Sequence, residues 1–372
     1  MSTFAEFFAG GGMARSGLGP DWACLFANDK DKKKVASYQL NWGNAEITDK
    51  DVKEVSSTDI IGEIDLVWAS FPCQDLSLAG GGAGLKGEHS GTFYPFWKVI
   101  EQLILEERSP KIIVLENVLG TLSSHDGEDF RAICRSYKKS GYCFGAVVVD
   151  ASLFVPQSRK RLFMIGVKND IGLNEALVSP EPIEPFHTKR LRQAVNQLDP
   201  NCRDSFVWWN VPTPPHRNVT FADIIEDRPT GVVWHSEAET ARLLELMTPV
   251  NLAKVTAAQR SERRMVGGVY RRMRKDADGN KVQRAEVQFS DVAGCLRTPR
   301  GGSSRQTLLI VDGQNIRSRL ISTRETARLM GLDDTYKLPE NYNEAYHLTG
   351  DGVVAPVVRH LAHHLFEPLL SY

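Results

Sequence analysis

The chain is expected to be an α/β protein, a doubly wound sheet with a smaller and less regular domain set into it. Three observations carry this expectation. Up to about residue 170, short apolar runs alternate with longer amphipathic stretches, the pattern of strands separated by helices that builds a largely parallel sheet covered on both faces. The rhythm stops near residue 178, where Pro180, Pro182 and Pro185 open a polar, aromatic and basic middle punctuated by Pro212, Pro214 and Pro215. It returns only towards the carboxyl end. The expected strands are 3–9, 24–27, 64–69, 111–115, 146–149 and 162–167. Helices are expected at 93–107 and 128–140. A late helix is expected at 322–332, opened by the capping-box pattern Ser322-Thr323-Arg324-Glu325, and a last one at 353–370. The 372 residues suit two domains. The expected division is 1–178 with 342–372 as one domain, and 179–341 as the second domain with its hinge.

Composition excludes some classes. No apolar run reaches the roughly 18 residues of a membrane-spanning helix. The opening Met1-Ser2-Thr3-Phe4-Ala5-Glu6 lacks the basic and apolar regions of a signal peptide, so a cytoplasmic protein is expected. The six cysteines (Cys24, Cys73, Cys134, Cys143, Cys202 and Cys295) form no C-x-x-C pair, and no metal site is expected. The net charge of −1 is unevenly spread. Residues 259–306 hold 12 Lys/Arg against five Asp/Glu, so that stretch is +7 and the remainder −8. Such a segment suits either a polyanion contact or an ordinary solvated face.

Four constellations fall where strands of such a sheet end, the edge at which ligands bind. Phe7-Phe8-Ala9-Gly10-Gly11-Gly12-Met13 joins the first strand to a helix, with glycines that permit a sharp turn and close approach to a ligand. Asp29, at the end of the second strand, is placed for a ribose hydroxyl, and Asp51, near the third, for an amino group. Ser70-Phe71-Pro72-Cys73-Gln74 follows the strand that ends at Ala69, and Gly80-Gly81-Gly82-Ala83-Gly84 suits a loop that closes over a substrate. Leu115-Glu116-Asn117-Val118 places a carboxyl group at the next strand end, where it could carry a proton. Gln157-Ser158-Arg159-Lys160-Arg161 leads into a strand, with two arginines two apart and so expected on one face.

In content and order these motifs resemble the DNA cytosine-5 methyltransferase family. The late Arg324-Glu325-x-Ala327-Arg328-Leu329-Met330-Gly331 and Gly350-x-x-Val353-Val354 match as well. The resemblance implies a Rossmann-like methyltransferase sheet and, between Arg161 and the late helix, a target recognition domain. It implies that Cys73 adds to carbon 6 of a cytosine flipped out of double-stranded DNA, and that carbon 5 then takes a methyl group from S-adenosylmethionine, leaving S-adenosylhomocysteine. Glu116 would donate to ring nitrogen 3, Arg161 would bind the carbonyl oxygen at carbon 2, and Arg159 would favour the Cys73 thiolate. Phe8, Gly10, Gly12, Asp29, Asp51 and Pro72 would hold the cofactor. Gln74, Ser77, Thr298, Arg300 and Gly301 would contact DNA.

The chain departs from the family pattern at four places. These are Met13 for a third glycine, Lys30 for an aromatic residue, His89 for an arginine, and Gly350-Asp351-Gly352 in the last motif. A non-catalytic DNA-binding relative and an RNA cytosine-5 methyltransferase remain as alternatives. Binding alone needs none of Cys73, Glu116, Arg159 and Arg161, and the long middle region favours reading of duplex DNA. A monomer is expected, with a cognate restriction endonuclease, where one exists, acting separately.

Overall fold

The computed structural model describes residues 1–72, 90–276, 278–298 and 305–371. The chain divides into two compact units. One comprises 1–151, 160–215 and 352–372, the other 152–159 and 216–351. The expected boundary at 178 therefore differs from the observed division, which leaves residues 160–215 with the first unit.

The first unit is built on a nine-stranded sheet. Its strands are β1 (Ser2–Phe7), β2 (Trp22–Asn28), β3 (Ile47–Thr48), β4 (Leu66–Ala69), β5 (Ile112–Asn117), β6 (Tyr142–Asp150), β7 (Lys160–Lys168), β8 (Val178–Ser179) and β9 (Phe206–Trp209), in the order β3-β2-β1-β4-β5-β7-β6-β9-β8. From β3 to β5 the strands are parallel. Their central stretches are near-continuous apolar runs, as strands covered on both faces require. Helices α1 (Met13–Leu18), α2 (Lys32–Trp42), α3 (Phe93–Leu105), α4 (Glu128–Lys139), α5 (Lys189–Asn196) and α6 (Pro200–Arg203) belong to this unit. Its core holds an aromatic cluster that includes Phe7, Phe96, Trp97, Tyr137 and Phe144.

The sheet is not parallel throughout. β7 runs antiparallel to both β5 and β6. The physical reason is the short connection: only residues 151–159 separate β6 from β7, fewer than a helical crossover between parallel strands needs.

The second unit holds more regular structure than its irregular sequence suggested. Strands β10 (Met265–Lys275), β11 (Lys281–Phe289), β12 (Thr307–Asp312) and β13 (Asn315–Leu320) form an antiparallel sheet in the order β11-β10-β12-β13. The β12–β13 hairpin turns through Gly313 at φ 56°, a conformation suited to glycine in a tight hairpin. Helices α7 (Glu237–Glu245) and α8 (Pro249–Gln259) cover one face of this sheet, where Leu243, Met247 and Val255 meet Val269, Val287 and Leu309.

The late helix forms as α9 (Thr323–Leu329), followed by α10 (Tyr342–Asp351). The capping box is present: the Glu325 N–H donates to Ser322 Oγ (3.1 Å) and the Ser322 N–H to Glu325 Oε2 (2.7 Å). The terminal helix forms as α11 (Ala355–Leu361), a π-turn over Ala362–Phe366, and α12 (Glu367–Leu370). It returns to the first unit, where the Arg359 guanidinium donates to the carbonyl oxygen of Leu18 at the end of α1. Among the described residues, no helix is long and apolar enough to cross a membrane.

Candidate active site

Parallel strands bring the carboxyl ends of β1, β2, β4 and β5 to one edge of the large sheet. The reversal of β7 brings its amino end to the same edge, because Leu162 pairs with Asn117 and Phe163 with Glu116. Arg161 shares a face with Phe163, two residues on, and therefore with Glu116. The result is an ion pair, Arg161 Nε to Glu116 Oε1 at 3.1 Å, with the Glu116 residue only 6% exposed. Asn117 has a separate task. Its Nδ2 donates to the Phe71 carbonyl oxygen at 3.4 Å, tying the segment that leads into Pro72 to the end of β5. Its Oδ1 accepts the Val118 N–H at 2.8 Å.

The glycine turn is held from both sides. Phe8 sits at φ 58°, a rare region for a non-glycine residue, and its ring packs against Phe96. Gly10 and Gly12 have φ 56° and 76°. A Cβ on Gly10 would meet nothing within 4 Å, so open space lies beside the turn. A Cβ on Gly12 would lie 2.4 Å from Trp42 Nε1, which donates to the Gly11 carbonyl oxygen. Met13 is buried and begins α1, so the missing third glycine does not displace the helix start.

The Asp29 carboxylate braces this turn, accepting the Gly10 N–H at Oδ2 and the Asp31 N–H at Oδ1, both at 2.9 Å. Burial pushes this carboxyl above its ordinary range, against Lys34 and those two N–H donors. Asp51 caps the short turn Val52–Glu54, and Lys30 reaches its Oδ2 at 3.5 Å. Burial would raise the Asp51 carboxyl, but the Lys53 N–H and the Lys30 ammonium hold it low.

Glu6 is a buried charge beside the glycine turn's strand that the motifs do not mark. It lies in β1, 2% exposed, with Oε2 lacking a hydrogen-bond partner. Burial raises its carboxyl to about 8, although Arg15 and the N–H groups of Arg15 and Ala14 pull the other way. The available signal was a lone charge inside the apolar run Thr3-Phe4-Ala5-Glu6-Phe7-Phe8.

In the second unit, Gln157 and Arg159 are interior residues. Gln157 Nε2 donates to the Leu329 carbonyl oxygen (2.8 Å), and its Oε1 accepts the Leu296 N–H (2.9 Å). Arg159, 2% exposed, donates to the carbonyl oxygens of Leu296 and Gly350, each at 3.1 Å. β7 begins at Lys160, so Arg159 lies ahead of the strand and does not share the strand face of Arg161 as expected. The two residues tie the chain at 293–298 to α9 and α10. Thr298 follows directly on this brace, against Gly350, whose Cβ would sit 3.2 Å from the Thr298 nitrogen.

Cys73, Gln74, Ser77, His89, Arg300 and Gly301 lie outside the described residues. The other five cysteines are free thiols. Burial pushes Cys24 and Cys202 up to about 11, Cys134 far up, and Cys143 up. A buried thiol of that kind is a poor nucleophile. Cys295 donates to the neighbouring Leu296 carbonyl oxygen. Among the described residues, no group of three or more His, Cys, Asp or Glu could hold a metal ion.

Comparison with known proteins adds the remaining information. A family model described as C-5 cytosine-specific DNA methylase matches residues 2–367. The type II methyltransferase M.BsuFI of Bacillus subtilis is 26% identical over 99% of this chain and 73% of its own length. M.HhaI of Haemophilus parahaemolyticus is 25% identical over 98% of this chain and 94% of its own. In fold, the chain is similar to the Dnmt2 methyltransferase of S. pombe, with a TM-score of 0.60 at 17% identity and 99% of each chain covered.

Proposed function

The chain belongs to the C-5 cytosine-specific DNA methylase family, and from that premise we propose that it methylates a flipped-out cytosine in a specific duplex DNA sequence through a covalent adduct at Cys73. It is a DNA cytosine-5 methyltransferase of the S-adenosylmethionine-dependent kind. The observation that carries the finer reading is the placement of Glu116 and Arg161 on one face at the carboxyl edge of the sheet. Asn117 there holds Phe71, two residues before Cys73. The thiols of Cys24, Cys134, Cys143 and Cys202, raised by burial, offer no competing nucleophile.

The glycine turn suits the cofactor. Open space flanks Gly10, the Asp29 carboxylate lies at the turn, and the orphaned Glu6 Oε2 sits on the strand that leads into it. Phe8, Gly10, Gly12, Asp29, Asp51 and Pro72 would hold S-adenosylmethionine, which when bound supplies an electrophilic methyl group. Lys30 stands where the family often has an aromatic ring, and it turns to Asp51 instead.

In the proposed reaction the Cys73 thiolate adds to carbon 6 of the cytosine, and Arg159 favours that thiolate. Glu116, as the acid, protonates ring nitrogen 3, and Arg161 binds the carbonyl oxygen at carbon 2, so the electron pair is delivered to carbon 5. Entry of the base exchanges the Glu116–Arg161 contact for contacts to the pyrimidine. Carbon 5 takes the methyl group, a base removes the carbon-5 proton, and the returning electron pair expels Cys73. Flipping costs a few kcal/mol of stacking and pairing. Gln74 and Ser77 would stand near the vacated space, and Thr298, Arg300 and Gly301 beside the target base. The setting we infer is a monomer in a prokaryotic cytoplasm, acting on DNA within restriction-modification, with any nuclease a separate protein.

Trapping tests this reading. A duplex carrying 5-fluorocytosine should form a denaturation-resistant adduct with the wild-type chain only when S-adenosylmethionine is present. Cofactor binding without any adduct, across duplexes that contain all short target sequences, would overturn it.

A further inference from the structure

Three consecutive glycines make the turn after β1 hard to order, because glycine loses more backbone freedom on folding than any other residue. The turn is nonetheless held at several points. The Ala9 N–H donates to the Asn28 carbonyl oxygen (2.9 Å), the Gly10 N–H to Asp29 Oδ2 (2.9 Å) and the Gly12 N–H to the Ala9 carbonyl oxygen (2.8 Å). The Gly11 carbonyl oxygen accepts from Trp42 Nε1 at 3.1 Å. The peptide that joins Gly11 to Gly12 is therefore fixed at both polar ends, at its N–H within the turn and at its oxygen by a side chain 31 residues on.

Trp42 ends α2 and is itself held. Arg15, on the helix that leaves the turn, places its guanidinium 4.9 Å from the centre of the Trp42 ring and 5.7 Å from that of Tyr38. Its Nη1 donates to the Tyr38 hydroxyl at 2.8 Å and lies 3.5 Å from Glu46 Oε2. A cation over an indole face fixes the ring and, by drawing on its electrons, strengthens its N–H as a donor. The two aromatics fill one side of Gly12, where a Cβ would meet Trp42 Nε1 at 2.4 Å and Tyr38 Cε2 at 3.0 Å, while the side of Gly10 stays open. Packing alone needs no donor there, since a phenylalanine ring would fill the same space.

We propose that Trp42 and Arg15 are positioning residues for S-adenosylmethionine: Trp42 locks the Gly11–Gly12 peptide before the cofactor arrives, and Arg15 locks Trp42. The inference rests on the reading of this turn as the cofactor site and deepens it. A turn already ordered loses little freedom on binding, so part of the affinity is set by residues that touch no ligand. Neither residue takes part in methyl transfer, so the effect falls on cofactor binding and leaves the chemical step alone.

Calorimetric titration of S-adenosylmethionine into the chain, beside thermal melts of the cofactor-free protein, tests this. W42F keeps a ring beside Gly12 and removes the donor, and should weaken binding about five- to tenfold, as one lost hydrogen bond does. In methyl transfer to unmethylated bacterial DNA it should raise the cofactor KM by that factor and keep kcat within about twofold of wild type. R15M should weaken binding about two- to fivefold. W42F/R15M should bind little more weakly than W42F, because Arg15 acts through Trp42. W209F, which removes a buried indole of the same unit from β9, should keep wild-type affinity whatever its melting temperature. Were W42F to melt below the assay temperature, R15M would decide by the same titration. Wild-type affinity in both W42F and R15M would overturn the positioning role. So would equal weakening in W42F and W209F, which would make the effect one of folding alone, and either result leaves the cofactor reading intact. A wild-type chain that binds no S-adenosylmethionine would overturn the underlying reading as well.

Discussion

The edge of the large sheet and the β10–β11 ribbon each set arginine beside glutamate, and they hold the pair in opposite ways. Arg161 and Glu116 share a buried strand face, with side chains 17% and 7% exposed. Arg274 and Glu286 stand in solvent at 48% and 32%. The buried pair has its geometry set by sheet register and neighbours, which suits a group that must meet one ring atom. The exposed pair is screened and exchangeable, and worth little to stability. Burial and exposure therefore give the same two residue types different work.

The strongest way to break the comparison is at the chemical side. Cys73→Ser should reduce methyl transfer by several orders of magnitude, as loss of a nucleophile does in a unit-acting set. Near-wild-type rates in a radiolabelled methyl-transfer assay would remove Cys73 from the mechanism. Glu116→Gln should slow the reaction by about 10²- to 10⁴-fold, the usual range for a general acid. Its cofactor affinity should stay near wild type by calorimetry, and lost affinity would place Glu116 with the cofactor instead.

Gly12→Ala should weaken cofactor binding and lower stability by about 1–3 kcal/mol, because it strains a positive φ and drives a Cβ into Trp42. Thermal melts with and without S-adenosylmethionine read both effects. Arg159→Met should act on the second unit, costing about 2–4 kcal/mol by leaving the Leu296 and Gly350 carbonyl oxygens without their donor. Faster amide exchange at 293–298 would report it, and unchanged exchange there would contradict the bracing role.

The last effect is a pH dependence. Burial raises Glu6 from 4.5 to about 8. Between those values the folded state holds a proton that the unfolded state releases, so stability falls as pH rises through that window, by a few kcal/mol at most. Glu6→Gln should flatten this dependence in denaturant titrations at several pH values. An unaltered profile would mean that another group sets it.

Much of this was legible in the sequence because motifs and strand ends coincide. The pattern around Phe8-Ala9-Gly10 located the turn, and the motifs set Glu116 at the end of one strand and Arg161 at the start of another, although not that the two form an ion pair. Three features were not legible. The reversal of β7 depends on the short 151–159 connection, which apolar periodicity does not register. The roles of Gln157 and Arg159 depend on contacts to 296, 329 and 350, far away in sequence. The antiparallel sheet of the second unit was hidden because its exposed strands, such as Arg271-Arg272-Met273-Arg274-Lys275, carry charge where apolar alternation would have marked them.

The central claim is cytosine-5 methylation through Cys73, and its most direct test is genome-wide mapping of 5-methylcytosine in a methylation-free bacterial host. The wild-type chain and Cys73→Ser would be expressed side by side. The expected result is 5-methylcytosine at one short sequence motif with the wild type and none with the variant. A soluble, well-expressed wild type that leaves the genome unmethylated, or a variant that methylates equally, would contradict it.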